Sequence, residues 1–129
     1  MNVKLLRKVA EYILAEPKRF FMPDFVRWKE SRLDRLRNKH DGKIIDRPFP
    51  RCGTAACIGG WVCILSDKKE TADSEVAAEL LQINKDQAER LFFNAPSKFW
   101  DIWSGDGTKK TAKLAAARIE HFIRTDGKE

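Results

Sequence analysis

Three cysteines, Cys52, Cys57 and Cys63, fall within the stretch RCGTAACIGGWVCILS that runs from Arg51 to Ser66. A thiol can attack an electrophile, ligate a metal, or pack as a small apolar group. The local pattern bears on all three. Gly53 permits a sharp turn, and Thr54 is a good N-cap, its hydroxyl able to accept from a backbone N–H two or three residues on. This predicts a helix with Cys57 at its third position, where unpaired N–H groups and the helix dipole favour a thiolate. A thiol hydrolase or transferase built on Cys57 also needs a base, and the chain holds only His40 and His121. His121 is expected to share a solvent-facing side of the last helix with Arg118 and Leu114, away from Cys57. His40 lies in a polar, basic stretch of unassigned position. A papain-type arrangement has its two cysteines and tryptophan closer together than they are here. Cys57 therefore reads first as a packing thiol, with nucleophilic chemistry as the rival.

Metal ligation is read as absent. Cys52 and Cys57 are at the loose end of zinc-ligand spacing, and a structural site wants a second close pair, which the chain lacks. Cys63 is six residues past Cys57, ~240° round a helix, so those two cannot share an ion. No cofactor motif is present: there is no phosphate-cradling glycine loop and no nucleophile-elbow serine. The clustered, odd-numbered cysteines do not form a disulfide framework and are expected to be reduced.

Charge offers a second chemistry. The net charge is +6, and residues 18–51 hold eleven Lys/Arg against five acids, so that segment carries essentially all of the excess. Within it Arg27, Lys29, Arg32, Arg35 and Arg37 interleave with Phe25 and Trp28. Cations alternating with aromatics suit phosphate contact more than base reading. The partner implied is nucleic acid or another polyanion such as an acidic protein, through Arg27, Trp28, Lys29, Arg32, Arg35 and Arg37. A solvated surface segment is the plainer reading of the same charges.

A third candidate is aromatic. Phe92, Phe93, Phe99, Trp100 and Trp103 lie close together in sequence. Phe92, Phe99, Trp100 and Trp103 could line a ligand or peptide groove, although such residues more often cover a core. The nearby VAAELLQINKDQAERLF has a helix–turn–helix rhythm. Its second helix offers Asp86 and Glu89 beside Lys85 and Arg90, however, and acids oppose base reading. An αα-hairpin is the better reading.

The elements that must position these residues are helical. At ~100° per residue, Leu5, Leu6, Val9, Ala10, Tyr12 and Ile13 share one face of a helix over 3–15, which Pro17 ends. The segment from Thr54 to Leu65 has no charged residue and predicts a buried central helix, with Gly59 and Gly60 allowing close approach of a neighbour. A helix over 74–82 turns Val76, Ala77, Leu80 and Leu81 inward. Asn84 caps the next with Gln87 at its third position, and Leu91 and Phe92 anchor it. NAPSKFWDIWSGDG reads as a loop with one helical turn. The last helix is capped by Thr108 or Thr111 and buries Ala112, Ala115, Ile119, Phe122 and Ile123. Residues 125–129 are expected to fray. Residues 18–51 read as irregular, with room for a small β-hairpin.

A chain of 129 residues, 43% hydrophobic, suffices for one domain with its own core. The expectation is a mainly α domain spanning 1–129, a bundle of about five helices around the central one. No apolar run approaches the ~20 residues of a membrane span. The charge-studded N-terminal stretch lacks a signal-peptide apolar segment, so a cytoplasmic chain is expected. Together, CGTAACIGGW, AAELLQINKDQAERLF and AAARIEHFI resemble a family of small bacterial proteins marked by CGT-x-x-C-I-x-G-W. The resemblance covers Cys52 to Ile123 and implies no activity, cofactor, partner or functional residue. The function expected is binding or accessory and not catalytic.

Overall fold

A computed structural model describes residues 1–20, 26–27, 55–68, 73–104 and 108–129. Among these, five α-helices form: α1 (Val3–Ala15), α2 (Ile58–Leu65), α3 (Ser74–Leu81), α4 (Lys85–Phe92) and α5 (Lys109–Arg124). Two short 3-10 stretches accompany them, Pro17–Arg19 and Ser97–Ser104. One two-residue antiparallel ladder pairs β1 (Val26–Arg27) with β2 (Ala55–Ala56), in the register Val26 to Ala56. The protein is a small, mainly α domain.

Helix α1 follows from its sequence. Asn2 caps it, its Oδ1 accepting from the Leu5 N–H at 3.1 Å, and it stops at Ala15, ahead of Pro17. Leu6, Val9, Ala10 and Ile13 are buried, while Leu5 and Tyr12 flank them half-buried. This face packs chiefly on α5, whose Ala112, Ala115, Ile119 and Phe122 are fully buried. The small alanines let the two axes come close, and an Arg7–Glu120 ion pair at 3.3 Å crosses the exposed edge. The Asn2 N–H also donates to the Leu81 carbonyl at 2.6 Å, joining the start of α1 to the end of α3.

Helix α2 is the predicted central helix: every residue from Ile58 to Cys63 is buried. Its start differs from expectation. The expected cap, Thr54, lies outside the described residues; Ala55–Ala56 is extended, and Cys57 itself is the N-cap, one position outside the helix. Pairing with β1 holds Ala55–Ala56 in the extended conformation and delays the helix until Ile58. The residues flanking the 28–54 stretch are thereby brought side by side. Trp61 is anchored by its Nε1–H donating to the Arg19 carbonyl at 3.0 Å, with Tyr12 against its ring at 4.6 Å. The Arg19 guanidinium lies 4.7 Å from the Trp61 ring and donates to the Tyr12 hydroxyl.

Helices α3 and α4 form the expected αα-hairpin. Asp73 caps α3, and Asn84 caps α4 with the predicted reciprocal bonds to Gln87 at 2.9 and 3.0 Å. Ala77 and Leu81 are the buried residues of α3; Val76 and Leu80 are half-buried. Residues 97–104 wind further than the single turn expected. In 3-10 geometry residues three apart lie one above the other, which puts Phe99 and Ile102 together in the core and leaves Trp100 outside.

The tail also departs from expectation. Residues 125–129 do not fray; they close α5 and fold back along α4. Asp126 is left-handed, and the Gly127 N–H reaches the Phe122 carbonyl at 2.8 Å while that of Asp126 reaches Ile123 at 3.1 Å. That is the Schellman pattern, which satisfies carbonyls left open by the helix end. Gln87 Nε2 donates to the Asp126 carbonyl and Arg90 Nη1 to the Gly127 carbonyl, both at 3.2 Å.

Candidate functional site

Cys57 is buried, and its sulfur does a capping job. Sγ accepts from the Gly60 N–H at 3.4 Å, the position-three donor that a serine or threonine cap would normally satisfy. Burial pushes its thiol up to about 12, although the backbone N–H groups of Gly60 and Gly59 pull the other way. The helix N-terminus therefore does not produce a thiolate here, because desolvation outweighs the dipole. Cys63 lies in the same core, its thiol directed at the Asp73 carbonyl at 3.8 Å and pushed up to about 11, again by burial. Cys57 and Cys63 are both thiols, not disulfides.

Of the proposed polyanion set, Arg27 lies in β1, where only the backbone is described; Trp28, Lys29, Arg32, Arg35 and Arg37 lie outside the described residues, as do Cys52 and His40. The aromatic set does not form one groove. Phe92 and Phe99 are core residues, Trp103 packs half-buried against that core, and Trp100 alone of the four is exposed, at 64%. Trp100 is held in place by its Nε1–H donating to the Ala95 carbonyl at 2.9 Å. Among the described residues there is no group of three or more His, Cys, Asp or Glu placed to hold a metal. Nor is any helix there long and apolar enough to cross a membrane.

The most unusual chemistry lies where a solvent-facing side was expected. Arg118 and His121 are buried, at 0% and 9% exposure. The reason is tertiary. One face of α5 meets α1, and the 3-10 stretch covers a second face. The Phe99 ring packs 5.7 Å from the Arg118 guanidinium and 5.4 Å from the His121 ring. Phe122 stands 5.6 Å from the same guanidinium. Arg118 Nη2 donates to the Arg90 carbonyl at 2.9 Å, whereas its Nε and Nη1 are buried without a hydrogen-bond partner among the described residues. Burial lowers its pKa to about 10, with Glu129 acting in the opposite direction.

His121 sits between a cation and an anion. Lys98 Nζ is 3.4 Å from Nδ1, and Glu129 Oε2 is 3.4 Å from Nε2, an ion-pair distance without hydrogen-bond geometry. An ammonium can only donate, so Nδ1 is the acceptor and the ring is the neutral Nε2–H tautomer. Desolvation is the leading cause that lowers the His121 pKa; Lys98, Arg118 and Arg124 add to it and Glu129 opposes it. Among the described residues, three cations, Lys98, Arg118 and Arg124, thus act on His121 against one carboxylate, Glu129.

Angular position on α5 pointed away from this cluster. A row did hint at it: Ala115, Arg118 and Phe122 are spaced three and four apart, so Arg118 continues a row of buried residues. Comparison of the chain with protein-family models, with curated proteins and with solved structures finds no match in any of the three.

Proposed function

We propose that this protein is a non-catalytic binding or accessory protein. The observation that carries the reading is the Cys57 sulfur: it is buried, bonded to the Gly60 N–H, and held as a thiol far above neutral pH. A nucleophile must be ionised and reachable, and Cys57 is neither. Within the CGT-x-x-C-I-x-G-W block, Cys57 caps the central helix and Trp61 is anchored in the core, which supports a role as scaffold. The test is alkylation of the native protein by iodoacetamide against pH, followed at Cys57 by mass spectrometry. Cys57 is expected to stay unmodified below pH 8 and to react only on unfolding. Native-state labelling at neutral pH would overturn the reading in favour of a cysteine-dependent hydrolase or transferase.

A second reading names a partner class. The concentration of positive charge in residues 18–51 favours nucleic acid or another polyanion, engaged by Arg27, Trp28, Lys29, Arg32, Arg35 and Arg37. Retention on DNA or RNA that falls with salt, and is lost when Arg32, Arg35 and Arg37 are reversed to glutamate, is the expected result. Retention unchanged by those reversals ends it.

A further inference from the structure

We infer that the Arg118–His121 cluster is a binding site for carboxylate ligands, and that Glu129 occupies its mouth as a competing carboxylate from the chain itself. The inference extends the binding reading but stands on different residues, so it survives whatever becomes of Cys57.

Three observations carry it. First, Arg118 is fully buried with two nitrogens unpartnered among the described residues, and its Nη2 donates to a neutral carbonyl. A buried guanidinium is costly unless an anion faces it, and Arg is the side chain best suited to a planar carboxylate. Second, the surroundings are basic. Lys98 adjoins His121, on which Arg118 and Arg124 also act, with Glu129 the carboxylate that reaches the cluster among the described residues. Third, that carboxylate is poorly seated. It approaches His121 at 3.4 Å without hydrogen-bond geometry, its side chain is 61% exposed, and it leaves Arg118 Nε and Nη1 without a partner among the described residues. A carboxylate already drawn to the mouth identifies the ligand chemistry. The rings of Phe99 and Phe122 form apolar walls beside the guanidinium, which favours an organic acid over a hydrated inorganic anion.

Access requires the tail to lift. Residues 125–129 are fastened by the Gln87 and Arg90 side chains, both bonded to backbone carbonyls, and by the Schellman turn. A ligand therefore competes with the tail, and weakening the tail's own carboxylate strengthens binding of an added one.

The experiment follows the Arg118 Nε–H and the His121 ring by NMR as succinate, a glutamate-rich peptide, or inorganic phosphate is added to the full chain. Wild type is expected to show saturable shifts with one or both carboxylate probes. Glu129→Gln, a change at an exposed side chain, is expected to tighten the response by about fivefold or more. Arg118→Met, which removes an unmatched buried charge and keeps the stem, is expected to fold and to lose the His121 response. Saturation by succinate assigns the site to small acids, and a response to the peptide alone assigns it to an acidic segment of a partner. The inference is overturned if neither carboxylate shifts wild type or Glu129→Gln. It is equally overturned if the His121 response persists in Arg118→Met, or if phosphate matches the carboxylates.

Discussion

Cys57 shows how one atom can serve two chemistries and how burial chooses between them. A sulfur at a helix N-terminus is the geometry of an activated thiolate, yet the same sulfur shielded from water becomes a capping acceptor. The prediction at this scale is a ranking. Cys57→Ser keeps an acceptor for the Gly60 N–H and is expected to cost less than about 1 kcal/mol, while Cys57→Ala loses it and costs about 1–2 kcal/mol. Denaturant unfolding of the two variants measures the order; an alanine variant as stable as wild type would show that the Sγ bond contributes nothing. Arg118 presents the complementary case, a charge retained in the core with two of its nitrogens unpartnered among the described residues.

At the scale of elements, the helix ends carry the specificity. Each of α2, α3 and α5 is followed by a left-handed residue that is not glycine: Asp67, Gln82 and Asp126. Asp tolerates that conformation through its short polar side chain, but Gln does not share the advantage. Gln82→Gly is therefore expected to stabilise the domain by about 0.5–1 kcal/mol, the relief of strain being partly offset by a more flexible unfolded chain. Gly127 gives the opposite result. Its φ is +72°, and a Cβ there would lie 2.4 Å from Gln87 Nε2. Because Gln87 also completes the α4 capping box, Gly127→Ala is expected to destabilise by about 1–2 kcal/mol. Thermal melts of the two variants should move in opposite directions.

At the scale of the whole molecule, the cluster couples pH to stability. His121 is neutral in the fold and its pKa is lowered, chiefly by desolvation. The unfolded chain thus binds a proton that the folded chain refuses. Stability is complete above the ordinary imidazole value of 6.5 and declines as pH falls from there toward the lowered folded value. Melting temperature is expected to drop between pH 7.5 and pH 5, and His121→Gln is expected to flatten that part of the profile. An unchanged slope in the variant would place the titration elsewhere.

The elements were legible because their signals are local. Apolar spacing marked α1 and α5, Pro17 marked where α1 ends, and Asn84 with Gln87 marked the start of α4; each depends on residues within a turn of one another. The all-apolar run through Ile58 to Cys63 likewise announced a buried helix, since nothing in it can face water. The candidate site was not legible. A two-residue ladder from distant parts of the chain set where α2 begins, and so made Cys57 a cap. The packing of the 3-10 stretch and the folded-back tail against α5 placed Arg118 and His121 indoors. Periodicity reports which face of a helix is apolar, but how many neighbours cover that helix is decided only when the chain closes on itself, and burial is what sets the chemistry of a thiol, an imidazole or a guanidinium.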